Sequence, residues 1–258
     1  MTAPRRLVES LRTATPLIGS WIQTGSPAAA EMLADAGFHW LGLDCEHSSS
    51  DIVTVESIAR AIQGRDTALL VRVTQCDPIE IRRCLDVGAS GVIVPMVESA
   101  EQARRAVSAA KYPPLGNRGF CFGRMNQWGR RFDEYARQAN DATIVIAMIE
   151  SRSGVENIDA ILSVEGLSGV FIGPYDLSGS YGMPGQLQHE VVRRAYDTVV
   201  RACRSARVPA GQHIVHSTRA KIEAAIAEGF TLICLDADSI FIAEAARTAL
   251  AAASGCKP

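Results

Sequence analysis

Eight short apolar runs, each followed by an amphipathic stretch, limit this 258-residue chain to very few folds. The runs are Leu17–Gln23, Trp40–Asp44, Ala68–Val73, Gly91–Met96, Thr143–Glu150, Gly169–Pro174, Pro209–Ile214 and Leu232–Asp236. Short apolar runs that alternate with helices predict parallel βαβ units. Eight such units close into a barrel more readily than they form an open sheet. The sequence therefore predicts an α/β fold, a single-domain (β/α)8 TIM barrel over residues 1–258.

Cap residues at the helix ends agree with this division. Ser26-Pro27, Asp51, Asp77-Pro78 and Ser99 precede predicted helices, and several helices end at glycine. The turn after the first run, Thr24-Gly25-Ser26-Pro27, lacks the G-x-G-x-x-G pattern of an open dinucleotide-binding sheet. We see no linker and no low-complexity segment.

One connection is much longer than the others. Residues 111–142, rich in Gly, Arg and aromatic residues, join the helix that ends near Ala110 to the run that starts at Thr143. A long loop in a compact domain is usually functional or lies at an interface. An ordered surface elaboration is the alternative.

Charge and cysteine content exclude several partners. The net charge is −2, so no nucleic-acid footprint is present, and no apolar run is long enough to cross a bilayer. The segment Met1–Leu11 carries Arg5 and Arg6 without an apolar stretch behind them, so it does not predict a secretory signal. Seven Cys, an odd number without C-x-x-C spacing, indicate reduced thiols. We expect a cytoplasmic protein.

Polar residues gather where the predicted strands end, which is the face of a barrel that carries active sites. They are Asp44, Glu46 and His47 after the second strand, Arg72 in the third, Glu150 after the fifth, Gly173-Pro174-Tyr175-Asp176 after the sixth, and Gln212 and His213 in the seventh. Taken alone, the group after the second strand is equally compatible with a polar cap on a surface loop.

Glu150 and Asp176 lie at the ends of neighbouring strands, so their carboxylates can share one cation. Two carboxylates, water and substrate oxygens make a hard oxygen site that suits Mg²⁺ or Mn²⁺. The alternative is that each carboxylate caps the helix that follows it.

Arg72 is flanked by valines in an apolar run, and a buried Arg needs a partner. Its fork could hold a carboxylate or an oxyanion formed during reaction, or it could form a structural salt bridge with Asp44 or Glu46. His47 is a candidate acid or base because histidine is the residue type most often used for proton transfer. The other histidines, His213 among them, are expected to be structural or exposed.

Cysteine, lysine and phosphate chemistry are disfavoured. If the strand alternation continues, Cys45 points away from Asp44 and Glu46, which argues against a nucleophilic role. None of the three lysines, Lys111, Lys221 and Lys257, lies in a predicted strand, so a Schiff-base aldolase has no candidate residue. A carbanion would therefore need a metal ion. The acidic stretch 234–238 disfavours a phosphorylated substrate.

Ordered segments along nearly the whole chain share one pattern. They are Gly19-Ser20-Trp21, Ala36-Gly37-Phe38, Asp44-x-Glu46-His47, Arg82-x-x-Leu85-Asp86-x-Gly88-Ala89, Gly91-Val92-Ile93-Val94-Pro95-Met96-Val97, Tyr112-Pro113-Pro114-x-Gly116-x-Arg118-Gly119, Ile149-Glu150 and Ile172-Gly173-Pro174-Tyr175-Asp176-Leu177-Ser178. With these segments the chain resembles the HpcH/HpaI family of metal-dependent, pyruvate-forming aldolases.

The resemblance implies roles for particular residues. Glu150 and Asp176 would ligate the divalent metal, His47 would be the acid/base, and Arg72 would stabilise an enolate or oxyanion. Asp86 would tune the histidine, reaching it from a neighbouring subunit, and Asp44 would support the same network. Family members are typically hexamers, and the C-terminal helix over residues 241–252 is compatible with packing on a partner. The partners would thus be a small 2-oxo acid and further copies of the chain.

The chain also differs from the family pattern. Met148 stands where many members have Gln, and Tyr175 where the better-known aldolases have Ala. Both border the predicted pyruvate site, together with Gly173 and Pro174. The leading hypothesis is cleavage of a 2-keto-3-deoxy or 4-hydroxy-2-oxo acid to pyruvate and an aldehyde. Decarboxylation of oxaloacetate and cleavage of an acyl-CoA ester would use the same metal–enolate chemistry. A barrel that binds an acidic ligand without turnover is the non-enzyme alternative.

Overall fold

The fold is a closed barrel of eight parallel strands in the order β1 to β8, seen in a computed structural model that describes residues 3–13 and 15–254. The described strands are β1 (Leu17–Ile22), β2 (Trp40–Asp44), β3 (Ala68–Arg72), β4 (Gly91–Val94), β5 (Ile144–Ile149), β6 (Gly169–Ile172), β7 (Ala210–Ile214) and β8 (Leu232–Ala237). The predicted TIM barrel is confirmed, and all eight apolar runs are strands. Cys256 and Lys257 lie outside the described residues.

Helices surround the barrel. In the described ranges they are α1 (Ala3–Arg12), α2 (Pro27–Asp35), α3 (Ile52–Ala61), α4 (Pro78–Asp86), α5 (Ala100–Ala110), α6 (Phe132–Ala142), α7 (Arg152–Glu156), α8 (Ile158–Leu162), α9 (Pro174–Ser180), α10 (Glu190–Ala206), α11 (Arg219–Glu228) and α12 (Asp238–Ser254). The predicted caps are present: the side chains of Ser26, Asp51, Asp77 and Ser99 each accept a backbone N–H of the helix they precede. None of these helices is both long and apolar enough to span a membrane.

The long connection is only partly a loop. Its last third forms α6, and a 3-10 turn spans Arg124–Asn126. Acidic residues in the first turn of α6 interact favourably with the positive end of the helix dipole and so stabilise the helix. Ala139 of this helix is buried. The connection also carries exposed Phe122 and Trp128. It is therefore an ordered elaboration of the barrel, which was one of the two expectations.

Alternate residues of each strand face into the barrel, and aromatic rings fill it. Trp21 meets Trp40 and Phe171 edge to face, at centroid distances of 6.4 and 5.9 Å. A Cβ on Gly19 would lie 2.1 Å from the Trp40 ring, and one on Gly42 would lie 2.7 Å from the Trp21 ring. These two glycines leave the space for the large rings. The barrel below its carboxyl end is therefore a packed core.

The amino end of the barrel is covered by α1, a helix that the sequence patterns did not predict. Its Leu7 and Leu11 are buried and belong to the same apolar cluster as the barrel interior. Leucines four residues apart lie on one helix face, so a short helix can direct both side chains into the barrel end. The open end is thus the carboxyl end, where the polar residues gather.

Candidate active site

Strand alternation brings most of the predicted site residues to the inside of the barrel mouth. Trp40 and Leu70 are interior, so Asp44 and Arg72, at even spacing along β2 and β3, face inward as well. Ile144, Ile146 and Met148 are interior on β5, and Glu150 continues that series. The register pairs Asp44 directly with Arg72. These residues therefore share one layer at the carboxyl ends of the strands.

Asp44 and Arg72 form a two-pronged ion pair. Arg72 Nε donates to Asp44 Oδ1 at 2.9 Å, and Nη2 donates to Oδ2 at 2.6 Å. The Asp44 side chain is 0% exposed and also accepts the backbone N–H groups of Glu46 and His47, each at 3.1 Å. Burial alone would raise the pKa of Asp44, but the Arg72 bonds and charge and the two backbone donors hold it below its usual value. Asp44 thus fixes both Arg72 and the turn after β2.

The Arg72 guanidinium keeps donors for a ligand. Its Cζ lies 4.9 Å from the centroid of the Trp21 ring, a cation–π contact, and Nη1 lies 3.4 Å from Glu46 Oε2. The pair with Asp44 occupies one edge of the five-donor guanidinium, the edge formed by Nε and Nη2. The salt bridge that was the alternative interpretation of Arg72 therefore exists, and it leaves N–H groups that can meet an anionic oxygen.

Glu150 is a buried carboxylate in a tight cradle. Its Oε1 accepts the backbone N–H of Met96 at 2.7 Å. A Cβ on Gly173 would lie 2.4 Å from its Oε2, so only glycine leaves this oxygen in place. Met96 has a positive φ of 50°, a strained conformation for a residue other than glycine. The surrounding backbone is therefore shaped around this carboxylate.

Glu150 is not a helix cap. The residue after it, Ser151, is the N-cap of α7 and accepts the N–H of Gly154 at 3.1 Å. Burial raises the pKa of Glu150 against the opposing Met96 bond, and the nearby charges of Glu46 and Asp176 raise it further. The cap interpretation of Glu150 was wrong. Its carboxylate instead lies within the influence of two other acidic side chains, Glu46 and Asp176.

Asp176 lies in the first turn of α9, whose N-cap position is held by Gly173 without a side-chain cap. Among the residues that the structure describes, its exposed carboxylate has no hydrogen bond or ion pair. Its charge acts on both Glu150 and Glu46. The cap interpretation therefore has no hydrogen bond to support it here either, and the carboxylate is available to a ligand.

The donor set fits a hard divalent cation. The charges of Glu46 and Asp176 help to raise the pKa of Glu150, and the charge of Asp176 helps to raise that of Glu46. A cation between these carboxylates would offset the repulsion. In the described ranges, no three His, Cys, Asp or Glu side chains already converge in a ligand geometry. Magnesium usually takes one or two carboxylates and completes its shell with water and substrate oxygens. The site therefore fits Mg²⁺ or Mn²⁺ better than an ion that needs a full protein cage.

His47 stands at the rim of this layer. Its side chain is 63% exposed, and Nε2 lies 3.5 Å from Glu46 Oε2. Burial raises the pKa of Glu46, partly offset by the charges of Arg72 and His47. Glu46, which the sequence places in this polar group without a catalytic or metal-binding role, is therefore the carboxylate that accompanies His47 within the chain.

Asp86 lies elsewhere. It ends α4 just before β4 begins, which places it at the amino end of the barrel, whereas His47 follows the carboxyl end of β2. Its Oδ1 accepts Arg118 Nη2 at 2.7 Å, and that guanidinium is buried over the Tyr112 ring at 4.8 Å. Within one chain Asp86 does not reach His47, so any action on the histidine must come from another copy.

The other predicted substrate-binding positions lie on β5 and at the start of α9. Met148 is 3% exposed and faces the interior beside its partner in the register, Phe171. Pro174 starts α9, and Tyr175 is 59% exposed at the mouth. Met148 thus forms part of the floor and Tyr175 part of the rim.

Two interior residues of this layer, Trp21 and His213, were given no role in the site by the sequence analysis. Trp21 touches the Arg72 guanidinium, and His213 meets the Trp21 ring edge to face at 6.4 Å. Spacing along β7 would have shown that His213 faces inward, because Ala210 and Ile214 pack on the outer side of the strand. His213 therefore lines the mouth of the barrel.

Cys45 and the described lysines take no part in the site. Cys45 packs between strands and helices, and burial raises the pKa of its thiol to about 12, which leaves no thiolate at neutral pH. The amine of Lys111 donates to the carbonyls of Asn140 and Thr143, at the amino end of β5. Lys221 donates to two backbone carbonyls in the turn before α11. The expectation that neither group is a nucleophile agrees with this placement.

Comparisons with known proteins agree with one another. The family model described as HpcH/HpaI aldolase/citrate lyase matches residues 17–245. A protein of Salmonella dublin named 4-hydroxy-2-oxo-heptane-1,7-dioate aldolase is 37% identical over 251 residues, covering 96% of this chain and 94% of that protein. A crystal structure of an HpcH/HpaI aldolase/citrate lyase family protein from Burkholderia cenocepacia J2315 has 34% identity and a TM-score of 0.92, covering 97% of this chain and 100% of the other. An HpcH/HpaI aldolase from Desulfitobacterium hafniense DCB-2 has 29% identity and a TM-score of 0.88, covering 96% of each chain.

Proposed function

Because the chain belongs to the HpcH/HpaI aldolase/citrate lyase family, we propose that it is a metal-dependent carbon–carbon lyase. It cleaves a 4-hydroxy-2-oxo acid to pyruvate and an aldehyde, and it catalyses the reverse addition. The observation that carries this proposal is the Arg72 fork, locked by buried Asp44 in the layer that holds Glu150. The relatives named for 4-hydroxy-2-oxo-heptane-1,7-dioate support the same class of substrate.

Glu150 and Asp176 would hold Mg²⁺ or Mn²⁺. When bound, such an ion acts as a Lewis acid that polarises the 2-oxo carbonyl. The cradle of Met96 N–H and Gly173 keeps one Glu150 oxygen fixed and the other uncovered by a side chain. Asp176 would contribute its carboxylate from the exposed first turn of α9. The pair would thus combine a rigidly held ligand, Glu150, with an accessible one, Asp176.

The side chains of this chain then divide the remaining work. His47 takes the proton of the 4-hydroxyl, and the electrons of that O–H bond form the carbonyl of the aldehyde. The C3–C4 bond breaks, and its electron pair passes through C3 and C2 to the 2-oxo oxygen. Arg72 N–H groups stabilise the resulting enolate oxygen. Protonation at C3 completes pyruvate.

The walls of the mouth would set the shape of the substrate. Met148 and Gly173 border the 2-oxo acid near Glu150, and Pro174 and Tyr175 face the leaving aldehyde. Because Tyr175 is half exposed on a helix turn next to Asp176, it can contact a group that extends out of the barrel. The acid part of the site would thus be bordered by Met148 and Gly173, and the aldehyde part by Pro174 and Tyr175.

The assembly would be a homo-oligomer, a hexamer by analogy with the family. Asp86 supports this proposal because its carboxylate is 21% exposed and held by Arg118, far from the His47 of its own chain. In such an assembly Asp86 of one copy would orient His47 of another.

His47→Gln tests the assignment of the proton acceptor. We expect turnover of a 4-hydroxy-2-oxo acid to fall by about 10²–10⁴-fold, the usual contribution of general acid–base catalysis. Because the side chain is 63% exposed, the fold and metal affinity should be unchanged. Pyruvate release, followed with a coupled dehydrogenase, measures the rate, and calorimetry measures Mg²⁺ binding.

His216→Asn is the matched control. This histidine is also exposed and also contacts a carboxylate, that of Glu244. Asn tolerates the positive φ at this position. Equal losses in both variants, or full activity in His47→Gln, would remove His47 from the proposed reaction.

A further inference from the structure

His213 is a polar side chain in an apolar part of the barrel mouth. On β7 the residues on either side face outward: Ile214 packs with the outer cluster, and Gln212 hydrogen-bonds Tyr196 there. His213 therefore faces inward, level with its register partner Cys234, which is 0% exposed in the interior. Its ring meets Trp21, the same indole that the Arg72 guanidinium covers.

The tautomer of His213 is fixed by a backbone carbonyl. Its Nε2 lies 2.8 Å from the carbonyl oxygen of Asp236. A carbonyl oxygen only accepts hydrogen bonds, so Nε2 carries the proton and donates it. Burial lowers the pKa of His213, which keeps the ring neutral at neutral pH even though the Asp236 bond opposes the shift. Nδ1 is then an unprotonated acceptor.

Asp236 is itself held rigidly in place. Its φ is +47°, a strained value for a residue other than glycine. Its carboxylate accepts the N–H of His216 at 2.6 Å and both the N–H and the hydroxyl of Ser217, at 3.2 and 2.5 Å. These bonds fix the carbonyl that orients His213, so the ring is preorganised before any ligand arrives.

The acceptor atom of His213 is open. Among the described residues it has no hydrogen-bond partner, and it is not one of the buried, unpartnered polar atoms, which are Ser20 Oγ, Arg118 Nε and Thr231 Oγ1. Solvent therefore reaches Nδ1, and the face of the barrel that admits solvent at this level is the mouth. A ligand bound beside Arg72 and Trp21 would meet an acceptor there.

We propose that His213 is a specificity-determining residue that accepts a hydrogen bond from a hydroxyl group of the substrate, so that the site favours hydroxylated partners. The inference rests on the proposed lyase function and extends it to a substrate class. The hydroxyl can belong to the 2-oxo acid, as in 3-hydroxypyruvate, or to the aldehyde, as in glycolaldehyde. A site built to bond a hydroxyl rejects the analogue that lacks it, because the acceptor would be left unpaired.

The inference is tested with ligand pairs that differ by one hydroxyl. Aldol addition is measured for 3-hydroxypyruvate against pyruvate with one fixed aldehyde, and for glycolaldehyde against acetaldehyde with pyruvate. Three enzymes are compared: wild type, His213→Leu and His213→Asn. The change in the kcat/KM ratio between variants cancels the intrinsic reactivity of each pair.

We expect His213→Leu to reduce the preference for the hydroxylated member of one pair by about tenfold or more. His213→Asn, whose amide oxygen is also an acceptor, should keep much of it, and His216→Asn should keep all of it. The pair that responds identifies whether the acid or the aldehyde carries the hydroxyl. An unchanged ratio in His213→Leu for both pairs would overturn the inference.

Binding provides a readout that needs no turnover. Calorimetric affinities for 3-hydroxypyruvate and pyruvate, and for glycolaldehyde and acetaldehyde in the presence of pyruvate, are measured with Mg²⁺ for wild type and His213→Leu. A hydroxyl preference that depends on His213 would support the inference even if no aldol product forms, in which case only the lyase proposal fails. If no aldol product forms, the absence of a His213-dependent preference in binding contradicts the inference.

Discussion

Glu150→Gln is expected to abolish metal-dependent pyruvate formation while the barrel stays folded. The amide oxygen can still accept the Met96 N–H, and the side chain fills the same space beside Gly173. The change removes the negative charge that a divalent ion requires. A metal Lewis acid supplies several kcal/mol of transition-state stabilisation, and a loss of about 4 kcal/mol corresponds to about 10³-fold in kcat/KM.

The measurement combines pyruvate release with calorimetric titration of Mg²⁺ and Mn²⁺. Glu156→Gln is the matched control, since it makes the same chemical change on an exposed position of α7, the helix that follows Glu150. We expect the control to keep wild-type metal affinity and rate. Normal metal affinity in Glu150→Gln would contradict the assignment of this carboxylate as a metal ligand.

Arg72→Lys is expected to lower both activity and stability, although the charge is conserved. Lysine cannot reproduce the planar fork that binds both Asp44 oxygens at 2.9 and 2.6 Å. Loss of one preorganised donor to a developing oxyanion typically lowers kcat by about 10²–10³-fold. Loss of a hydrogen bond between charged groups lowers the free energy of unfolding by about 1.5–3 kcal/mol.

A double-mutant cycle with Asp44→Asn separates the two effects. The free energy of unfolding from urea titration should be non-additive, because the two side chains are direct partners. The rate of Arg72→Lys should remain low in either background, because the enolate would lose its donor whatever Asp44 carries. A wild-type rate in Arg72→Lys would assign this residue to structure alone.

Local patterns were enough to predict the strands, because each is a short apolar run bounded by cap or turn residues. The ends differ by one or two residues: Glu150 and Pro174, for example, were included in runs that end as strands at Ile149 and Ile172. Alternation along each strand, which the sequence analysis applied only to Cys45, also accounts for the inward placement of Asp44, Arg72 and Met148. The same alternation would have drawn His213 and Trp21 into the site.

Long-range contacts decided what the sequence left open. Whether Glu150 caps a helix or faces a ligand depends on which backbone N–H reaches it, and that donor is Met96, in the turn after β4. Arg72 combines a structural pair with free donors, which no local pattern can show. The placement of Asp86 at the opposite end follows only from its position in the complete barrel. Its proposed action on His47 requires a second copy of the chain.

The central claim is that Glu150, Asp176 and Arg72 together stabilise a pyruvate enolate with a divalent ion. Exchange of the pyruvate methyl protons in D₂O, followed by NMR with Mg²⁺ and again with EDTA, tests this claim without knowledge of the aldehyde. The account predicts exchange that requires the metal and disappears in Glu150→Gln. Exchange that persists in EDTA, or no exchange while Mg²⁺ is demonstrably bound, would contradict it.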